Sequence, residues 1–259
     1  MGAVAPGAQA VSAHPSRELL ERLAGARRVV AFTGAGVSAE SGVPTFRTTD
    51  GIWTKFKPEE LASMEGFMRN PELVWEWYAA RKRIMAEVRP NPAHEALARM
   101  QALVPHMAVI TQNIDGLHHR AGSTLVYELH GSIERNYCMR CGRRHSNDEV
   151  LRQTGVPCCL GCGGTVRPDV VWFGEQLPEE EWNNAVHASG MADVFFSVGT
   201  SGVVYPAASI PFIALDAGAY IVEVNPEPTP LTEKVHEYLQ GPAGSILPVI
   251  VHTLDSRKL

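Results

Sequence analysis

The 259-residue sequence predicts an α/β fold: a parallel sheet with helices on both faces, carrying a small cysteine-rich insertion. Three observations lead there. Short β-branched runs alternate with longer stretches of helical spacing, the pattern of βαβ units. A glycine-rich loop follows the first of these runs directly. All five cysteines fall between residues 135 and 165, where there is little apolar core.

The bulk numbers bound the class. Hydrophobic residues make up 45% and charged residues 20%, ordinary values for a globular protein. A formal net charge of −5 gives no basic surface for nucleic acid or anionic lipid, so direct binding to either is not expected. No apolar run approaches the ~18 residues of a membrane span. Residues 1–15, rich in Ala, Gly and Pro, read as a disordered tail. They lack the basic start and apolar core of a signal peptide, and Pro6 breaks the myristoylation pattern after Gly2. With clustered cysteines, this favours a reducing, cytoplasmic setting.

Along the chain, strands are expected at Arg28–Phe32, Met107–Thr111, Leu125–Leu129, Val194–Val198, Tyr220–Val224 and Pro248–His252. The first runs into Gly34-Ala35-Gly36 and, three residues on, Ala39, a G-x-G-x-x-A pattern. Glycines there permit a tight turn and let a pyrophosphate approach the backbone. The acidic ribose ligand usual about 20 residues later is missing, which argues against an ordinary hydride-transfer dehydrogenase. Residues 45–92 form an excursion with a helix over about Pro71 to Val88, whose apolar stripe is Val74, Trp77, Tyr78, Ile84, Met85 and Val88. Gln112 to Asp115, His130-Gly131, Gly199 to Ser201 and Asn225 to Glu227 follow successive strands. In a parallel sheet these polar and glycine-rich segments share one rim, where ligands bind.

Cys138-x-x-Cys141 and Cys159-x-x-Cys162 stand 17 residues apart, within zinc-ribbon spacing. Four thiolates fill a tetrahedral site and leave no position for water, so one zinc ion with a structural role is expected. Cys158 is the spare thiol, a CxxxC pairing being the less favourable geometry. Gly142 and Gly161 or Gly163 supply the knuckle turns, and His145 reads as a surface residue. The fold is then a Rossmann-like sheet over 16–134 and 166–255, with a helical module at 45–92 and a zinc-ribbon insertion at 135–165.

These segments together resemble the sirtuins. Gly34 to Arg47, Thr111 to His118, Leu129 to Gly131, the four cysteines, Val170 to Glu175 and Gly199 to Ser201 occur in that family's order, and the likeness spans about residues 20–250. The short chain is similar to the prokaryotic type. The resemblance implies an enzyme that consumes NAD. Nicotinamide leaves, the acyl oxygen of a modified protein lysine attacks the ribose, and O-acyl-ADP-ribose and free lysine result. It makes His130 the base at a ribose hydroxyl, a task that suits an imidazole near neutral pH. His118 and His119 are the competitors. Asn113 and Asp115 would hold the nicotinamide carboxamide and ribose. Gly34, Ala35, Gly36, Ser38, Ala39, Phe46, Arg47, Gln112, Ile114, Gly199, Thr200 and Ser201 would line the rest of the NAD site, with Trp53 on its loop. Asn225, Pro226 and Glu227 would meet the adenosine ribose, and Ala243 the adenine.

An acyl-lysine peptide would enter between Val170–Glu175 and Gly202–Tyr205, touching Phe173, Gly174, Glu175 and Val203 as an added strand. Arg81, three residues after Tyr78, falls on the apolar stripe of its helix. A buried guanidinium needs an anion, and its planar fork suits a carboxylate. Tyr-x-x-Arg at this place resembles the sirtuin branch that removes succinyl, malonyl and glutaryl groups, so Tyr78 and Arg81 would hold a distal carboxylate. A deacetylase without that preference, an ADP-ribosyl transferase side activity and a non-catalytic NAD-sensing module are the other readings. A monomer is expected.

Overall fold

The computed structural model describes residues 14–43 and 61–257. Residues 1–13 of the expected tail, and Phe46, Arg47 and Trp53, lie outside the described residues. The chain opens with α1 (Arg17–Gly25), whose first turn Ser16 caps by accepting the Leu19 N–H. β1 (Arg28–Thr33) and α2 (Ala35–Ala39) carry the glycine loop. α3 (Met64–Arg69) and α4 (Pro71–Glu87) follow. Asn70 accepts the Leu73 N–H and Pro71 occupies the first turn, where its missing N–H does no harm. At the other end, the Arg120 guanidinium donates to the carbonyls of Met85 and Val88. α5 (Pro92–Leu103) begins with a capping box between Asn91 and His94.

β2 (His106–Thr111), α6 (Leu117–Arg120) and β3 (Val126–Glu128) complete one half of the sheet. Then come β4 (Gly131–Cys138), β5 (Arg144–His145), α7 (Asn147–Leu151) and β6 (Val166–Val170). α8 (Glu179–Gly190), β7 (Val194–Val198), α9 (Ile210–Asp216), β8 (Tyr220–Asn225), β9 (Glu237–Gln240) and α10 (Ala243–Arg257) finish the chain.

Six strands form one parallel sheet in the order β3-β2-β1-β7-β8-β9. Alternation along β1 shows why both faces are covered. Val29 and Ala31 face a core shared with α1, α5 and α10, while Val30 and Phe32 face one shared with α8 and α9. Burying a side chain the size of Phe32 contributes about 1.5–3 kcal/mol, and the sheet repeats this on both faces. The strand order reverses between β1 and β7, which puts the ligand crevice at their carboxyl ends.

Two expectations need correction. Pro248–His252, read as the sixth strand, lies inside α10. Ile246, Leu247, Ile250, Val251 and Leu254 are buried at helical spacing, so one face of a helix explains the apolar run. The sixth strand is β9, whose Glu237 is held by the Ser16 amide at 2.8 Å and the Ser16 hydroxyl at 2.5 Å. The zinc insertion is also wider than 135–165. Residues 131–134 and 166–170 leave the main sheet and enter an antiparallel sheet, β5-β4-β6. That sheet and the helical module share a third core, including Phe67, Val74, Trp75, Tyr78, Ile133, Val166 and Trp172. The two insertions therefore build one lobe.

Candidate active site

The rim is knitted at the β1–β7 switch. The Gly34 and Gly36 amides donate to the carbonyls of Val198 and Gly199, at 3.1 and 2.8 Å. A Cβ on Gly36 would lie 2.7 Å from the Gly199 oxygen, and one on Gly199 would lie 2.4 Å from the Val37 nitrogen. Gly199 also adopts φ +57°. Both positions therefore require glycine, and the first task of the glycine pattern is to let two rim loops touch.

Beside this contact lies a buried polar network. The Ser38 hydroxyl donates to Asp115 Oδ2 at 2.7 Å. Its two lone pairs receive Asn113 Nδ2 at 3.1 Å and His94 Nε2 at 3.3 Å. His94 Nδ1 accepts the Asn91 N–H, so the ring proton sits on Nε2 and points at Ser38. Asp115 Oδ1 accepts the Leu117 amide at 2.9 Å. Every hydrogen-bonding position of the Ser38 hydroxyl is used, which fixes Asn113 and Asp115 in place. Burial pulls His94 down to about 4, against the opposing pull of Asp115, so the ring is neutral. The sequence reading missed His94: its Asn-Pro-x-His cap marks a helix start and says nothing of its reach to Ser38.

Gln112 Nε2 donates to Thr200 Oγ1 at 2.9 Å, and Asn225 Nδ2 donates to the Thr200 carbonyl at 3.1 Å. The network thus spans the ends of β2, β7 and β8. Ser201 is half-buried beside it, Pro226 and Glu227 are exposed at the end of β8, and Ala243 is buried at the start of α10. Ile114 uses its carbonyl to accept the Ile133 amide at 2.8 Å.

His130 stands half-buried on the same rim. Its Nδ1 lies 2.8 Å from the Gln112 carbonyl, which can only accept, so Nδ1 carries the proton and Nε2 keeps its lone pair. Burial lowers its pKa, and the bond to Gln112 opposes that in part. His118 is buried and differently engaged. Thr33 donates to Thr111, so it accepts from His118 Nε2 at 2.9 Å. Burial holds His118 well below its ordinary value. His119 is exposed, 3.9 Å from Glu128. Of the three imidazoles, His130 is the one at the rim with a ring nitrogen left to take a proton.

α4 forms the wall beyond. Tyr78 is buried, and its oxygen accepts the Trp172 indole N–H at 2.9 Å, leaving the phenol proton to donate elsewhere. Burial pushes this phenol up to about 12, so it stays protonated. The Arg81 guanidinium lies 4.8 Å over the Trp77 ring. Burial lowers its pKa, and the neighbouring Tyr78 and Asp115 oppose that in part. Ile84, expected on the apolar stripe, is exposed. Lys82 is buried instead, and its ammonium donates to the Ile133 carbonyl and to Asn147 Oδ1. That lysine ties the helix to β4 and α7, so the buried face is turned away from Ile84.

The expected peptide rim is apolar and open. Phe173 is 50% exposed, and Val203 and Tyr205 are 59% and 71% exposed. The Phe173 amide donates to the Ala62 carbonyl at 2.8 Å, and Gly174 turns at φ +87°. The Glu175 side chain is engaged within the chain. Its carboxylate pairs with the buried Arg167 at 2.5 and 3.0 Å and accepts the Trp172 amide at 2.8 Å. Its work is to brace the segment, and the peptide would meet backbone here.

The Cys138, Cys141, Cys159 and Cys162 sulfurs lie within 4.8 Å of one another. Neighbouring sulfurs are 3.4 to 3.8 Å apart. A tetrahedron of thiolates at Zn–S ~2.3 Å has edges of about 3.8 Å, so the set fits zinc. Amides of Arg140 and Gly164 each approach a ligand sulfur at 3.4 Å. Gly142 and Gly163 take the left-handed turns. Cys158 is exposed and outside the cluster, its sulfur 3.7 Å from the Val156 carbonyl. His145, expected at the surface, is 5% exposed, because its β5 position turns it into the zinc lobe.

Known proteins agree with this geometry. The profile described as the Sir2 family matches residues 34–206. A curated relative from Pyrobaculum aerophilum, named NAD-dependent protein deacylase 2, is 53% identical over 235 residues, covering 91% of this chain and 94% of its own. A Sir2 homologue solved as a complex with NAD shares 42% identity with a TM-score of 0.90, covering 96% of this chain and 97% of its own. A Sir2 protein solved with a peptide and NAD+ shares 35% identity with a TM-score of 0.82, covering 91% and 97%. The match in profile, length and fold settles the lineage: the chain belongs to the Sir2 family.

Proposed function

We propose that this protein is an NAD-dependent protein-lysine deacylase whose acyl pocket favours acidic groups, succinyl and malonyl, over acetyl. The relatives' names and the NAD-bound neighbour support the broader activity. The acidic preference rests on one observation: Tyr78 and Arg81 stand one helical turn apart on α4, Tyr78 buried and Arg81 half-buried. A protonated phenol and a guanidinium there offer a carboxylate one neutral and one charged donor. Acetyl carries no carboxylate to meet these donors, so it forgoes that charge-assisted contact.

The other residues divide the work. Asn113 and Asp115, fixed by Ser38 and His94, would hold the nicotinamide end of NAD. His130 would take a ribose hydroxyl proton on Nε2. Thr200, Gln112 and Asn225 would line the adenosine side, and Phe173 and Val203 the lysine stem. The zinc would be structural: Cys138, Cys141, Cys159 and Cys162 would fill its four positions and leave none for water. Among the described residues no helix is long and apolar enough to cross a membrane. The test is release of nicotinamide from NAD with one peptide carrying acetyl-, succinyl- or malonyl-lysine. Faster turnover of the two acidic peptides supports the reading. A preference for acetyl reduces it to a general deacetylase, and no nicotinamide with any peptide overturns the enzyme itself.

A further inference from the structure

Trp172 is a large buried side chain with no task in the chemistry above. It is 1% exposed, beside Phe173 at 50%. Adjacent residues of an extended segment point to opposite sides, so one stretch of chain offers Phe173 to the peptide rim and Trp172 to the core. Trp172 is held from three sides. Its amide donates to Glu175 Oε2 at 2.8 Å, the Arg167 guanidinium lies 3.4 Å over its ring, and the Phe67 ring is 5.1 Å away. Arg167 is itself fixed by the Glu175 carboxylate at 2.5 and 3.0 Å. From that fixed position the indole N–H, the one polar group of the side chain, reaches the Tyr78 oxygen at 2.9 Å.

That bond places the Tyr78 proton. A phenolic O–H lies in the plane of its ring and can point to either side of the C–O bond. An indole N–H only donates, so it takes a lone pair on the oxygen and leaves the O–H the other side. The Tyr78 ring is fixed as well, edge-on to Trp77 with centroids 4.6 Å apart. Among the described residues the phenol proton meets no acceptor, and a buried donor in that state is ready for one. A hydroxyl that accepts one hydrogen bond also donates a stronger one. We propose, on the strength of the acidic-acyl pocket above, that Trp172 is a positioning residue for acyl recognition: its indole aims the Tyr78 O–H at the distal carboxylate of an acidic acyl-lysine. Selectivity is then set from the peptide segment as well as from α4. An acetyl group ends in a methyl and offers that O–H no acceptor, so the work of Trp172 shows in the comparison of acyl groups.

A double-mutant cycle tests this, read as the ratio of kcat/KM for succinyl-lysine and acetyl-lysine versions of one peptide. Trp172→Phe keeps an aromatic ring in the core and removes the N–H. It should lower the ratio about 3- to 10-fold, the worth of one neutral hydrogen bond. Tyr78→Phe should lower the ratio too. Trp172→Phe added to Tyr78→Phe should then lower it no further, because the indole acts through the phenol. A ring that only fills space would change both peptides alike and leave the ratio fixed. Should Trp172→Phe fail to fold, replacing its indole with the isosteric benzothiophene, which fills the same space without an N–H, carries the same comparison. A ratio lowered by Tyr78→Phe but not by loss of the N–H overturns the role of Trp172 and leaves the acidic-acyl reading standing. So does an equal loss from Trp172→Phe in both backgrounds. A ratio that Tyr78→Phe does not move overturns that reading, and the role of Trp172 with it.

Discussion

At the scale of single residues, the site works because protons are placed before any substrate arrives. His130 donates through Nδ1 to the Gln112 carbonyl, so Nε2 is the basic nitrogen by construction. Burial lowers its pKa, and only the neutral ring can take a proton. The acid limb of the kcat/KM–pH profile is therefore expected below the ordinary imidazole value of ~6.5. His130→Ala should reduce kcat by about 10²- to 10⁴-fold with little change in fold. An acid limb above that value would count against the assignment. The Ser38 hydroxyl, with one proton given and two accepted, fixes Asn113 and Asp115 in the same way. The strand-end residues were legible in the sequence because a parallel sheet gathers its carboxyl ends on one rim. His94 was not legible, because its cap position gives no hint of reaching Ser38, 56 residues earlier.

At the scale of elements, α4 is the element that would decide which acyl group the proposed pocket accepts, and Lys82 decides how α4 is held. The ammonium sits between the Ile133 carbonyl and Asn147. Burial lowers it from 10.5 to about 7, with Glu134 and Asp169 opposing. Between those two values the unfolded chain carries a proton on Lys82 that the folded chain has released. Stability relative to Lys82→Met should thus rise with pH across that window, by at most about 1.4 kcal/mol per unit. Below about pH 7 both states are protonated and the gain is gone. Urea unfolding of the two proteins at pH 6, 7.5 and 9 measures this, and a constant difference would refute it. The helix itself was legible from Asn70-Pro71 and its apolar spacing. The orientation was not: Ile84 reads as core and Lys82 as surface until β4 and α7 supply a carbonyl and an amide for the lysine. The same limit explains α10 and β9. An apolar run with Pro248 resembles a buried strand, and a strand of Glu237-Tyr238-Leu239-Gln240 has too few apolar residues to stand out.

At the scale of the whole molecule, two insertions far apart in sequence form one lobe over the rim of the sheet. Trp75 donates to the Val166 carbonyl at 2.9 Å, and Tyr78 and Trp172 meet in the same core as Cys138 and Cys159. The zinc ribbon therefore shares its core with α4, the proposed acyl wall, as well as supporting its own fold. Stripping zinc with a strong chelator should abolish deacylation and shift tryptophan emission together, while far-UV circular dichroism of the sheet is largely kept. Full activity in zinc-free protein would show that the lobes are independent. The zinc ligands were legible because short cysteine spacings are a local signal, and the rim segments because strand ends are. The shared core is not local, and so the lobe boundary at residues 131–134 and 166–170 emerged only in three dimensions. The most direct test of the acidic-acyl reading compares kcat/KM for succinyl-lysine and acetyl-lysine peptides in wild type and Arg81→Met. The account predicts that wild type favours succinyl and that Arg81→Met loses that preference by about 10-fold or more while acetyl turnover persists. An unchanged ratio in Arg81→Met, or a wild type that favours acetyl, would contradict it.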